Sequence, residues 1–324
     1  MIRPFSSIAA AAIIAGCSSA PQPPIVQLSA ATIGRPSSED SLLYVANYDY
    51  NVVDMYTYKD GVAGKLVGSI PETRPTGICS DSAGDVYVAL FDEHRVDKFA
   101  HGATTPESTI KFTSAYPYAC AVDNSNGNLA VSVQTGHDKF NWGWFIDVYA
   151  GGGSQRQGYD AYNHFTGVHA LAYDNNHNLF AIGYPCGNTG YCESQESNGD
   201  APGLYELTSS GFYFYQITLQ GVALVAPTGL AWINPALLVG DSDYKHQDKG
   251  VGIKLLVNGG VATVTGTIPF ASTKSAEGIA VRAGDVLVAD GDDTDVRTYS
   301  IADGSLLSTL RQKTVHPQAA AISQ

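Results

Sequence analysis

PTGICSDSAGDVYVALFDEHRVDKFAHG, residues 75–102, decides how the rest of the chain is read. It opens on Pro-x-Gly, runs through a short apolar strand and turns at Asp…Gly. It continues as Val-Tyr-Val-Ala, crosses a polar loop and ends on an alternating strand closed by Gly. The same order recurs as PYACAVDNSNGNLAVSV (117–133) then FIDVYAGG (145–152), and as GVHALAYDNNHNLFAIG (167–183) then GLYELTSSG (203–211). It recurs again as PTGLAWINPALLVG (227–240) then VGIKLLVNGG (251–260), and as AEGIAVRAGDVLVADG (276–291) then DVRTYSIADG (295–304). Short β-branched and aromatic runs bounded by turn residues read as strands of small antiparallel sheets. The second-strand signature also stands near the start, as LYVAN (43–47) followed by VVDMYTYKDG (52–61), with no first strand before it. The missing piece is at the other end: PQAAAI (317–322) fits the first-strand pattern.

Counted that way there are six units. Aligned on the first strand, Thr76, Tyr118, His169, Thr228, Glu277 and Gln318 are equivalent, with spacings of 42, 51, 59, 49 and 41 residues. A repeat of about 40–50 residues with four short strands is the signature of a propeller. Each sheet alone leaves an apolar face in water, and radial stacking buries it. An open solenoid would need a helical cap, which no helix-period stretch supplies. The expected fold is therefore all-β: a six-bladed β-propeller of four-stranded antiparallel blades over residues 42–324, closed by the C-terminal strand. Residues 75–102 look like an NHL-type repeat and residues 43–61 like the related YVTN-type propeller repeat. That resemblance covers nearly all of residues 42–323 and implies the fold, while such repeats serve binding, scaffolding and catalysis alike.

Composition narrows the partners. The 324 residues carry 18 Lys+Arg against 31 Asp+Glu, a formal charge of -13, which argues against nucleic acid because phosphates need a basic face. Residues 1–20, MIRPFSSIAAAAIIAGCSSA, place Arg3 before an apolar run too short to span a membrane, as in a secretory signal. Ile14-Ala15-Gly16-Cys17 resembles the bacterial lipobox. The resemblance implies cleavage before Cys17, lipid on Cys17, and, with Ser18 next, sorting to the outer membrane, facing periplasm or cell surface. Loss of residues 1–16 removes Arg3 and no acid, leaving a mature charge of -14. Residues 17–41, rich in Ser, Ala and Pro, read as the lipidated Cys and a tether. The membrane would be met only through that anchor, and the domain is expected to be monomeric.

With Cys17 assigned to lipid, four cysteines remain, consistent with two disulfides in an oxidising compartment. Cys186 and Cys192 flank a short Gly-containing loop. Cys79 lies one place past Ile78, whereas Cys120 aligns with Ile78 in the next unit. Opposite parity points the two at facing sides of consecutive sheets, so a Cys79–Cys120 bridge would staple two blades; two buried thiols are the alternative.

The six aligned residues should ring the channel mouth and form a small-ligand site of convergent polar groups; a merely water-filled polar channel is the plain alternative. Ala276-Glu277-Gly278 is similar to the Glu-Gly opening of the gluconolactonase/senescence-marker family, and residues 227–232 (PTGLAW) look like its Pro-Asn-Gly-Leu-Ala-Trp strand. That resemblance implies a divalent metal held in part by Glu277 for lactone hydrolysis; Thr228 departs from the family, standing where it has a metal-holding Asn. His169 with Glu277 is a second enzymatic expectation, general base catalysis. Asp241-Ser242-Asp243 and the run from Asp290 through Asp292 to Asp295 offer oxygen-rich turns that could take Ca²⁺ or another divalent cation, or simply make turns. Trp142, Trp144, Tyr184 and Tyr191 could stack on a carbohydrate, anchor a peptide or envelope protein, or pack between blades. No complete catalytic constellation emerges, so the reading favours a binding or scaffold module over the hydrolase.

Overall fold

The computed structural model describes residues 41–136, 143–160, 165, 167–184, 201–242, 250–271, 273–311 and 317–323. Cys17 with its flanking segments, Asp243, Trp142, Tyr191 and the pair Cys186 and Cys192 lie outside the described residues.

In chain order the first blade contains β1 (Ser41–Asn47), β2 (Val52–Lys59) and β3 (Val62–Pro71). The second has β4 (Pro75–Ser80), β5 (Val86–Leu90), β6 (Arg95–Phe99) and β7 (Ser108–Lys111). The third has β8 (Ala115–Val122), β9 (Leu129–Thr135), β10 (Gly143–Tyr149) and β11 (Arg156–Asp160). The fourth has β12 (Gly167–Tyr173), β13 (Leu179–Tyr184), β14 (Gly203–Leu207) and the two-residue β15 (Tyr215–Gln216). Then come β16 (Thr218–Gln220) and the fifth blade, β17 (Pro227–Trp232), β18 (Leu237–Ser242), β19 (Gly250–Asn258) and β20 (Val261–Phe270). The sixth has β21 (Ala276–Arg282), β22 (Asp285–Asp290), β23 (Asp295–Ser300) and β24 (Leu306–Arg311), and the chain ends in β25 (Pro317–Ser323).

Burial follows radial position. The second strand of a blade, such as β5 with sequence VYVAL, is buried at every residue, because a neighbouring sheet covers each of its faces. That is why it reads as a continuous apolar run rather than an alternating one. Outer strands such as β7 and β24 are mostly exposed and carry Ser, Thr, Lys and Arg.

The ring closes as the offset repeat required. β25 pairs antiparallel with β1, matching Leu43 with Ile322 and Val45 with Ala320, so the first sheet runs β25-β1-β2-β3. The inner strands touch in a circle: β4 on β8, β8 on β12, β12 on β17, β17 on β21, β21 on β25 and β25 on β4. Six apolar clusters fill the gaps between neighbouring blades. The one joining last blade to first sets Leu287 and Val296 against Leu43, Val45, Ala320 and Ile322. Each Leu, Val or Ile side chain among them contributes about 1.5–3 kcal/mol when fully buried, and this cluster cannot form unless β25 docks. Ser80 Oγ adds a hydrogen bond to the Ile322 carbonyl at 2.8 Å.

One sheet departs from four strands. β16 lies parallel to β20, Thr218 beside Val261, and makes the fifth sheet five-stranded. The connection from the periphery of one blade to the inner strand of the next runs along an open sheet edge and caps its unpaired backbone groups. The Cys79–Cys120 bridge joins inner strands β4 and β8, with Cα atoms 5.8 Å apart.

Candidate functional site

The six aligned residues share a backbone feature that places them. The pairing of every inner strand with its neighbour slips by one residue near its start: between Pro75 and Gly77, Pro117 and Cys120, Val168 and Ala170, Pro227 and Gly229, and Ala276 and Gly278. In the closing strand Asn47 pairs with Pro317 and Ala46 with Ala319, which leaves Gln318 over. Thr76, His169, Thr228, Glu277 and Gln318 are thus bulge residues, and Tyr118 sits in the equivalent two-against-one step. A bulge re-aims its extra side chain, here into the central channel, which all six line.

The Pro-x-Gly opening has the same cause. A Cβ on Gly77 would stand 2.2 Å from the Tyr118 carbonyl oxygen of the next blade. Inner strands approach too closely there for any side chain.

The six do not play equal parts. Thr76 Oγ1 donates to the Ala89 carbonyl at 3.3 Å and to the Pro117 carbonyl of the next blade at 3.4 Å. Thr228 Oγ1 donates to the Ala276 carbonyl, also one blade on. Both threonines are spent on stapling adjacent inner strands. Tyr118, His169, Glu277 and Gln318 remain partly exposed to the channel. Glu277 Oε1 accepts a hydrogen bond from Ser275 Oγ at 2.7 Å, and Gly291 leaves room for it, since a Cβ there would lie 2.8 Å from Glu277 Cγ. Burial raises the Tyr118 hydroxyl to about 12, with the charges of Glu277 and Tyr48 adding to the shift.

His169 sits in an aromatic box. Its ring centroid is 5.7 Å from Tyr118, 5.5 Å from Tyr184 and 6.4 Å from Trp144, onto which it stacks. Burial holds its pKa below the usual histidine value, so the imidazole is neutral at pH 7. The rings continue around the mouth: Trp144 to Tyr118 at 5.7 Å, Tyr118 to Phe91 at 6.3 Å, and Phe91 to Tyr116 at 4.8 Å. Tyr48, Thr76, Phe91, Tyr118 and Gln318 enclose a recess of about 220 Å³ at the mouth. The channel behind it holds only about 70 Å³, room for a few waters and far below the several hundred Å³ of a drug-sized ligand site.

Sequence reading missed Tyr48 and Phe91, although each is the first residue past the second strand of its blade. Extending the repeat alignment by one strand would have paired them. Trp144 is buried between blades and forms one wall of the His169 box.

The acidic positions do structural work. Asp241 Oδ1 and Oδ2 accept the backbone N–H groups of Ala226 and Val225. Asp290 accepts those of Lys274 and Ser275, plus Arg297 Nη1 at 2.7 Å. These carboxylates fasten the loop that leads into the inner strand. At the mouth the described side chains that could face a metal are one carboxylate, Glu277, and the neutral Tyr118, His169 and Gln318, both threonines being committed to carbonyls. A hard cation that takes six to eight oxygens does not fit that set, and no group of three His, Cys, Asp or Glu side chains among the described residues is placed to hold a metal.

At the opposite end of the inner strands a Ser-His-Asp cluster appears. Ser125 Oγ lies 2.9 Å and Asp123 Oδ2 2.8 Å from His177 Nδ1, and Ser125 Oγ donates to Asp123 Oδ1 at 2.5 Å. Hydroxyl and carboxylate meet the same ring nitrogen. A catalytic relay needs them on opposite nitrogens, so this cluster ties two turns together.

No family model and no curated protein matches the sequence. Solved structures do match. A chain from a nidogen/laminin complex superposes with a TM-score of 0.66 at 14% identity, over 88% of this chain and 98% of that one. A Bacteroides caccae protein of unknown function gives 0.59 at 11%, over 88% and 99%. The β-propeller domain of Swd1 (Cps50) from Myceliophthora thermophila gives 0.52 at 12%, over 86% and 88%. The likeness is one of fold. At these identities it shows a β-propeller and carries no activity with it.

Proposed function

We propose that the chain is an exported, lipid-anchored propeller that works as a binding or scaffold module, with the mouth of its channel as the contact surface. The observation that carries this is the convergence of Tyr48, Phe91, Tyr118, Gln318 and the boxed His169 around a recess over a channel too narrow for an organic ligand. A partner must dock on the mouth rather than enter the molecule. An aromatic-walled recess of about 220 Å³ suits an inserted side chain of a peptide or envelope protein. A solved structure of similar fold comes from a protein complex, nidogen with laminin, which supports a binding use of this architecture. The lipobox-like residues before Cys17 support the anchor, a lipid carried on Cys17.

A photo-crosslinking amino acid at Phe91 of the full-length chain, expressed in a two-membrane bacterium, tests the reading. The expected result is a discrete protein adduct that disappears when Tyr118→Ala is added, with fatty-acid labelling abolished by Cys17→Ser. Absence of any adduct from Phe91 or Tyr48 contradicts the binding role. Lactone turnover by the purified chain, lost on Glu277→Ala together with a stoichiometric divalent ion, would put the hydrolase reading in its place.

A further inference from the structure

A second cavity lies away from the channel. It is a groove of about 730 Å³ between the second and third blades, within the range of small-ligand sites. Comparison of the blades shows what its buried carboxylate lacks. The third strand of three blades carries a buried Asp at one position: Asp54, Asp97 and Asp147. Cross-strand register sets Ser69 opposite Asp54, Thr109 opposite Asp97 and Gly158 opposite Asp147. In the first two blades the opposing hydroxyl donates to the carboxylate, Ser69 Oγ to Asp54 at 2.6 Å and Thr109 Oγ1 to Asp97 at 2.5 Å. In the third blade a glycine stands there, and the donor is missing. A Cβ on Gly158 would lie 3.2 Å from Asp147 Oδ1 and 3.4 Å from Arg156 Nη2, so the glycine stands against the two charged side chains that line the groove and offers them no hydroxyl.

Asp147 is only 2 % exposed. Arg156, whose side chain is 61% exposed, places Nε 3.0 Å from Asp147 Oδ1. Phe112, Phe145 and Tyr149 give the groove apolar walls, and Lys111 stands at its rim. An occupant must therefore offer hydroxyl or N–H donors to a buried carboxylate and an apolar surface to aromatic rings. It need bring no positive charge, because Arg156 already balances Asp147 and Lys111 adds a further cation.

We infer that this groove is a carbohydrate site that takes a pyranose, whose hydroxyl groups stand in at Asp147 and Arg156 for the hydroxyl that the sister blades supply from their own chain. The site is separate from the channel mouth and independent of the role proposed for it.

Saturation-transfer NMR on the full chain tests the assignment, with methyl glucopyranoside, methyl galactopyranoside and N-acetylglucosamine as probes. At least one should receive saturation on its ring protons. Gly158→Ser restores the hydroxyl found in the sister blades, so it should keep the fold and weaken sugar binding by about tenfold or more, the loss expected when a hydrogen bond to a charged group is denied. Asp147→Asn should weaken it likewise, and Tyr118→Ala at the channel mouth should leave it unchanged. No saturation of any of the three sugars overturns the inference. So does binding that survives Gly158→Ser, binding lost only on Tyr118→Ala, or preferential binding of the diamine cadaverine, which would mark a cation site.

Discussion

His169 shows what a single position in the repeat can and cannot reveal. Alignment of the units placed it on the channel, because a bulge falls at the same step in every inner strand. Its setting was hidden, since Tyr118 and Trp144 come from two strands of the neighbouring blade and Tyr184 from the partner strand of its own. The setting has a consequence for pH. Burial lowers the His169 pKa in the folded state, whereas the unfolded chain protonates it near about 6.5. Below that value the unfolded state binds more protons than the folded one, so stability falls as pH drops. His169→Phe removes this contribution. Thermal midpoints at pH 7.5 and 5.5 should therefore drop less in the variant than in the wild type; an equal drop would mean that the imidazole charges freely in the folded chain. Thr76 and Thr228 mark the limit of the alignment. They share the position, but their hydroxyls serve neighbouring carbonyls, and nothing in residue type alone distinguishes a channel-facing threonine from one that staples strands.

At the scale of elements, parity carried the most information. Cys79 and Cys120 differ by one step in otherwise equivalent strands, and facing sheets turn that step into contact. The bridge encloses a sequence separation of 41 residues, for which loop-closure entropy gives about 4 kcal/mol of stabilisation. The double substitution Cys79→Ser, Cys120→Ser should lower the unfolding free energy in urea by that order, and reduction of the wild type should match it. Unchanged stability in both would show that the bridge does not form in solution. Parity could not announce β16, because a three-residue strand along an outer edge answers to unpaired backbone rather than to any side-chain pattern. Nor could it expose the groove at Gly158. That became visible only when cross-strand register set the glycine in the place of Ser69 and Thr109.

The whole molecule rests on its ends meeting. An orphan second strand at the start and an orphan first strand at the finish were legible as one sheet divided between the termini, and the structure joins them from Leu42 with Ser323 to Asn47 with Pro317. From that pairing follow the sixth apolar cluster, the place of Gln318 on the channel and the circle of bulges that builds the mouth. Native-state hydrogen exchange of the β25 amides tests it most directly, because strands that lie in the cooperative core open only with global unfolding. The amides of Ala319, Ala320, Ala321 and Ile322 should be protected to the same free energy as those of Leu43 and Val45 in β1. Exchange of that segment at the rate of an unstructured peptide, with β1 still protected, would contradict the closed ring and everything derived from it.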